Sequence, residues 1–222
     1  MTSSTAPRPA DLSAALPRLP LFPLPHTVLF PGALLPLHIF EPRYREMVRD
    51  ALTSHRLLAV VLITDPATVD AHGNPVLASV GGVGELVEHA ELSGGRYNIL
   101  LRGRARVRLT ELPFEPPYRT ASATVMEEQG GEVSRASFSA LLSTATAFAS
   151  LVRDRDRSFD FRLPRDASPG LTADLCAHYL VLDPRERQII LETRDAPTRV
   201  HRVTDALALQ RLSLSSDAKT LN

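Results

Sequence analysis

The chain has 222 residues, enough for one domain or two small ones at roughly 100–200 residues each. Hydrophobic residues make up 44% and charged residues 23%, the balance of a globular chain that builds its own core, which excludes a disordered or fibrous protein. Lys+Arg 25 against Asp+Glu 25 leaves no formal net charge, which argues against a general binder of nucleic acid or anionic membrane, whose footprint is a basic excess.

Residues 1–18 open with a run rich in Ser, Thr, Ala and Pro that reads as a loose tail, with no apolar stretch of signal-peptide length. From Leu19 to Phe40, apolar residues alternate with Pro20, Pro23, Pro25, Pro31 and Pro36. Proline disrupts helix interiors and central ladder pairing, so this stretch should form short extended pieces at sheet edges, with a turn at Pro31-Gly32. Pro42 then starts a helix at the position where its missing N–H costs nothing, and Tyr44, Met47, Val48, Ala51 and Leu52 repeat at helical spacing. Residues 57–63 are the longest apolar run and read as a buried strand, bounded by Asp65-Pro66. That run is far below the ~18 residues of a membrane span. Residues 70–75 form a loop, and strands at 79–92 and 96–109 flank a Ser93-Gly94-Gly95 hairpin signal. Residues 118–127 offer one more strand.

After Gln129-Gly130-Gly131 the period becomes helical. Phe138, Leu141, Leu142, Ala145, Phe148 and Val152 line one face of a helix from about Ser134. Ser168-Pro169 caps a second helix through Leu180, Asp183 and Glu186 make a box variant opening a third, and Asp195-Ala196-Pro197 starts a fourth. The expected organisation is α+β: a tail (1–18), a β-rich, barrel-like subdomain (19–128), a helical bundle (132–213) and a second tail (214–222).

Chemistry is mostly excluded. The only lysine is Lys219, so no phosphate-loop lysine, Schiff base or Ser–Lys dyad can be assembled within the fold. No His is followed by Glu in a metalloprotease pattern, and Asp70 with His72 makes two ligands, too few for a metal site. Cys176 and His178, two residues apart on a helix, point to different sides, and Cys176 reads as a buried thiol. Gly82-Val83-Gly84 lacks the third glycine and following helix of a dinucleotide site, and no Gly-x-Ser-x-Gly elbow occurs. No catalytic, cofactor-binding or metal-ligating residue is expected. One surface feature stands out: Arg102, Arg104, Arg106 and Arg108 at period 2 would line one face of a strand. Arginine forks suit phosphate, but Glu85, Glu88 and Glu91 on the preceding strand can neutralise such a ladder.

The segments Leu19-Pro-Leu-Phe-Pro-Leu-Pro, Val28-Leu-Phe-Pro-Gly, Leu35-Pro-Leu-His-Ile-Phe-Glu-Pro-Arg-Tyr-Arg and Gly95-Arg-Tyr-Asn-Ile-Leu-Leu-Arg-Gly closely resemble the N-terminal substrate-binding domain of Lon proteases. The resemblance continues through Leu182-Asp-Pro-Arg-Glu-Arg-Gln-Ile-Ile-Leu-Glu-Thr and covers about residues 19–212. It implies a PUA-like β-pseudobarrel followed by an α-helical bundle, in a stand-alone domain without the ATPase and peptidase modules of the full protease.

The expected function is therefore non-catalytic binding of unfolded or extended polypeptide in the cytoplasm, as an adaptor in protein quality control. Exposed apolar patches and barrel edges that add a strand are the expected means. RNA binding through Arg102, Arg104, Arg106 and Arg108 is the alternative. No membrane partner is expected, and a homodimer is left open. Glu41 and Arg43 should fix the start of the first helix and, with Arg45, complete the candidate surface. Phe22, Phe30, Phe40 and Tyr44 are expected in the core.

Overall fold

A computed structural model describes residues 11–220, with side chains described through residue 214. Among the described residues there are seven strands and six α-helices, with the helix Leu12–Ala15 and the strand Pro75–Leu77 in addition to the elements the sequence predicts. The strands are β1 (Leu19–Leu24), β2 (Leu34–Ile39), β3 (Leu57–Val69), β4 (Pro75–Leu77), β5 (Val80–Leu92), β6 (Arg96–Glu111) and β7 (Thr120–Val125). The helices are α1 (Leu12–Ala15), α2 (Pro42–Thr53), α3 (Arg135–Arg155), α4 (Pro169–Leu180), α5 (Pro184–Glu192) and α6 (Ala196–Thr220).

The strands run β1-β7-β6-β5-β3, and a parallel pairing of β1 with β3 closes the ring into a barrel. The proline-rich β1 is not a simple edge strand. Its first half pairs with β7 (Leu19 with Ala121, Pro20 with Thr120), and its second half pairs with β3 (Leu21 to Leu24 with Ala59 to Leu62). Each proline therefore has one side free of ladder bonding, which is how a closing strand tolerates Pro20 and Pro23. Asp65 and Pro66 lie inside β3, at a register shift against β4, and do not end the strand.

Residues 28–30, between β1 and β2, lie across β5 and β6, with Leu29 and Phe30 fully buried and the Val28 carbonyl bonded to His178 of α4. Glycine makes this passage possible. A Cβ on Gly82 would overlap the Leu29 carbonyl, and one on Gly103 would overlap the Phe30 carbonyl. The G-x-G of β5 is thus a saddle for backbone crossing. Gly32, at φ +78°, turns the chain, and its N–H bonds to the Gly103 carbonyl at 2.9 Å.

Helix α2 buries Tyr44, Met47, Val48 and Ala51, as its periodicity predicts. Ser134, Ser168 and Asp183 cap α3, α4 and α5 by accepting N–H bonds from Ser137, Leu171 and Arg185. The box opening α5 is only half made, since Glu186 turns away to Arg202 on α6, at 2.7 Å. Both expected tails end differently where the structure describes them. Asp11 caps α1, whose Ala15 is buried, and α6 continues to Thr220; residues 1–10 and 221–222 lie outside the described residues.

Polar contacts join barrel and bundle. Arg106 of β6 donates to Asp174 of α4 at 2.6 Å, Gln188 of α5 donates to the Val80 carbonyl at 2.9 Å, and His178 Nδ1 bonds to the Val28 carbonyl at 3.1 Å.

Candidate functional site: an aromatic and proline-lined cleft

The proline segment that closes the barrel also builds one wall of a cleft of about 320 Å³. Phe22, Pro23 and Leu24 of β1 and Pro25 form one side; Leu37 and His38 of β2, Phe40, and Glu41, Arg43 and Tyr44 at the start of α2 form another. Ile63, Asn74, Pro75, Phe114, Pro117, Tyr118 and Arg119 complete it. Pro23, Pro25, Pro75 and Pro117 offer no backbone N–H, so an occupant meets apolar rings and carbonyls and few backbone donors.

Aromatic packing fixes the walls. Phe22 stands edge-on to Tyr44 with centroids 4.7 Å apart, and the Arg43 guanidinium lies 4.5 Å from the Tyr44 ring centre. Burial raises the Tyr44 hydroxyl above its ordinary pKa, so it stays neutral. The charged groups of the rim are already matched. Arg43 pairs with Glu41 at 2.9 Å. Arg119 holds Glu111 through two N–H donors, at 2.8 and 2.7 Å, and reaches the Pro75 carbonyl at 2.7 Å. Tyr118 donates to Asp50 at 2.6 Å, and burial together with this bond pushes its pKa up. Such a cleft suits an apolar side chain on an extended segment, with little preference for the sign of neighbouring charges.

Phe40 corrects the expectation of a core residue. Phe22, Phe30 and Tyr44 are buried, but Phe40 is 61% exposed at the cleft mouth, stacked beside His38 at 6.2 Å. It sits one residue past β2, where the strand's alternation ends and Glu41-Pro42 redirects the chain.

The arginine ladder does not form a single face. Between the pairs Val83–Ala105 and Gly84–Gly103, Arg104 is an extra residue, and a one-residue slip puts Arg106 and Arg108 on the opposite parity to Arg102. Arg104 pairs with Glu85, Arg106 is buried on Asp174, and only Arg102 and Arg108 are exposed. Arg45, expected beside Glu41 and Arg43, lies apart from the cleft with its guanidinium against Gly95 at the β5–β6 hairpin. The cleft residues missed in the sequence, Phe114, Pro117, Tyr118 and Arg119, come from the β6–β7 connection, where an aromatic and proline run was the available signal.

The open edge of β2 is blunted against strand addition. The Tyr179 hydroxyl meets both the N–H and the carbonyl of Leu34, at 3.0 and 3.4 Å, on the side away from β6. Alternation turns Pro36 the same way, where it has no N–H to give.

Other candidate chemistry is silent. Among the described residues no group of three His, Cys, Asp or Glu could hold a metal ion. Burial raises Cys176 to about 12 and lowers His178 to about 4, so the thiol stays protonated and the ring neutral. No helix among the described residues is long and apolar enough to cross a membrane.

A barrel closed by a proline-rich strand and followed by a helical bundle defines a fold shared with solved Lon domains. A Lon N-terminal domain protein from Xanthomonas campestris superimposes with a TM-score of 0.61 at 24% identity, covering 84% of this chain and 96% of that one. The N-terminal domain of a Mycobacterium avium complex Lon protease gives 0.60 at 17% identity, covering 86% and 98%. Residues 18–208 match the ATP-dependent protease La (LON) substrate-binding domain, and the chain belongs to that family. The matched family is that of a substrate-binding domain. Among curated relatives, the Lon protease of Roseiflexus castenholzii is 29% identical over 205 residues, which is 90% of this chain and 25% of that protein. The Lon protease of Dictyoglomus thermophilum is 28% identical over 192 residues, 84% and 24% respectively. The chain thus spans about a quarter of the length of these relatives.

Proposed function

We propose that this domain captures extended or unfolded polypeptide in the cleft around Phe40 and serves as a substrate-binding adaptor in cytoplasmic protein quality control. One observation carries this reading. A large aromatic side chain is held out to solvent at the mouth of a cleft with apolar walls and a charge-matched rim. An exposed apolar patch rimmed by polar groups favours association with apolar segments. Binding proceeds through side chains and not through strand addition on β2, given the Tyr179 and Pro36 blocks. The family supports a polypeptide as the ligand class. The dispersal of the four arginines removes the basis for preferring RNA.

The test is suppression of aggregation of chemically denatured citrate synthase. The native protein should delay aggregation in proportion to its concentration, and Phe40→Ser should weaken the effect while melting at an unchanged temperature. Equal suppression by both, or by neither, would contradict the reading.

A further inference from the structure

A second groove lies on the bundle, between the first turn of α5 and the middle of α6, with a volume of about 620 Å³. Ala206 and Leu209 lie along it one helical turn apart, and Leu182 borders it from the α4–α5 connection. Leu209 is 65% exposed and Leu182 58%. The connection is pinned: Gln210 accepts the Leu182 N–H at 2.7 Å and donates to the Leu180 carbonyl at 3.0 Å. The two leucines are therefore held open on a fixed backbone. The groove also carries surplus negative charge. Glu186 is offset by Arg202 at 2.7 Å and Asp183 by the field of Arg187, while Asp205, beside His201 in the groove, has no hydrogen-bond or ion-pair partner among the described residues.

We propose that this groove docks a basic amphipathic helix of a partner protein. Leucine-type side chains one turn apart would pack on Leu182, Ala206 and Leu209, and arginine or lysine on the flank would face Asp205. The unpaired Asp205 sets the sign of the partner, and two helices flanking the apolar strip of Ala206 and Leu209 set its shape, the geometry of helix-in-groove recognition. This surface is separate from the cleft, whose rim charges are matched.

Two fluorescein-labelled peptides with identical leucine spacing, one with lysine and one with glutamate at the polar positions, test the inference by anisotropy against the full chain. The lysine peptide should bind, shift the amides of Leu182 and Leu209 in NMR spectra, and weaken as salt rises. Asp205→Asn should weaken it roughly fivefold, and Leu209→Ser about tenfold. Phe40→Ser should leave it unchanged, so that failure here and failure of the cleft are read separately. No binding, equal binding of both peptides, or loss through Phe40→Ser would overturn the inference. So would a concentration-dependent dimer abolished by Leu209→Ser, which would assign the surface to a second copy of the chain.

Discussion

Arg106 on the barrel and Asp174 on the bundle form a buried ion pair of 2.6 Å, and Arg199 of α6 approaches the same carboxylate oxygen at 2.9 Å. Burial pushes the Asp174 carboxyl above its ordinary pKa, while the charges of Arg106 and Arg199 pull it back. Glu128, in the link between barrel and bundle, pairs with Arg199 and completes the charge balance. One carboxylate thus binds a barrel strand and two bundle helices together.

Removing that carboxylate leaves two buried guanidiniums facing each other. Asp174→Ala should cost about 3–5 kcal/mol in urea unfolding. The exposed Arg162–Asp160 pair is the control, and Asp160→Ala should change stability by less than about 0.5 kcal/mol.

The crossing of the barrel by residues 28–30 depends on glycine at positions where a side chain meets backbone. Gly82→Ala should destabilise the fold by about 3 kcal/mol, since a carbonyl cannot swing aside as a flexible side chain can. Gly131→Ala, with nothing near its added methyl, should be within about 0.5 kcal/mol of the parent in the same measurement.

His178 gives a pH prediction. Burial lowers its pKa from 6.5 to about 4, so in this interval the unfolded chain binds more protons than the folded one. Its contribution is complete above pH 6.5 and is lost as pH falls toward 4. The full shift corresponds to about 3 kcal/mol, and partial solvent contact of the ring reduces it to about 2. His178→Asn should flatten stability against pH in that window, as followed by thermal melts.

Much of the fold was legible because its signals are local. The period of α2, the Ser and Asp caps, and the Gly-Gly hairpin each act within a few residues. What was not legible depends on pairing across the sheet. The bulge at Arg104 has no local mark, and it turns an apparent arginine stripe into a half-buried pair, a buried anchor and two exposed side chains. Phe40 belongs to the same class: its motif reads as core, and only the turn into α2 sends it outward. The prolines of β1 read as edge markers, and their role in closing the barrel shows only once each half of the strand has a different neighbour. The cleft was half visible, since its β1–α2 wall is the proline motif, while the wall from residues 114–119 joins it only through the fold.

The most direct measurement of the cleft's role is anisotropy of a fluorescein-labelled, reduced and carboxymethylated α-lactalbumin titrated with the protein. Binding should survive high salt, should weaken about tenfold in Phe40→Ser, and should be unchanged when Arg102 and Arg108 are both replaced by serine. Unaltered binding in Phe40→Ser, or loss of binding in the double arginine variant, would contradict the account.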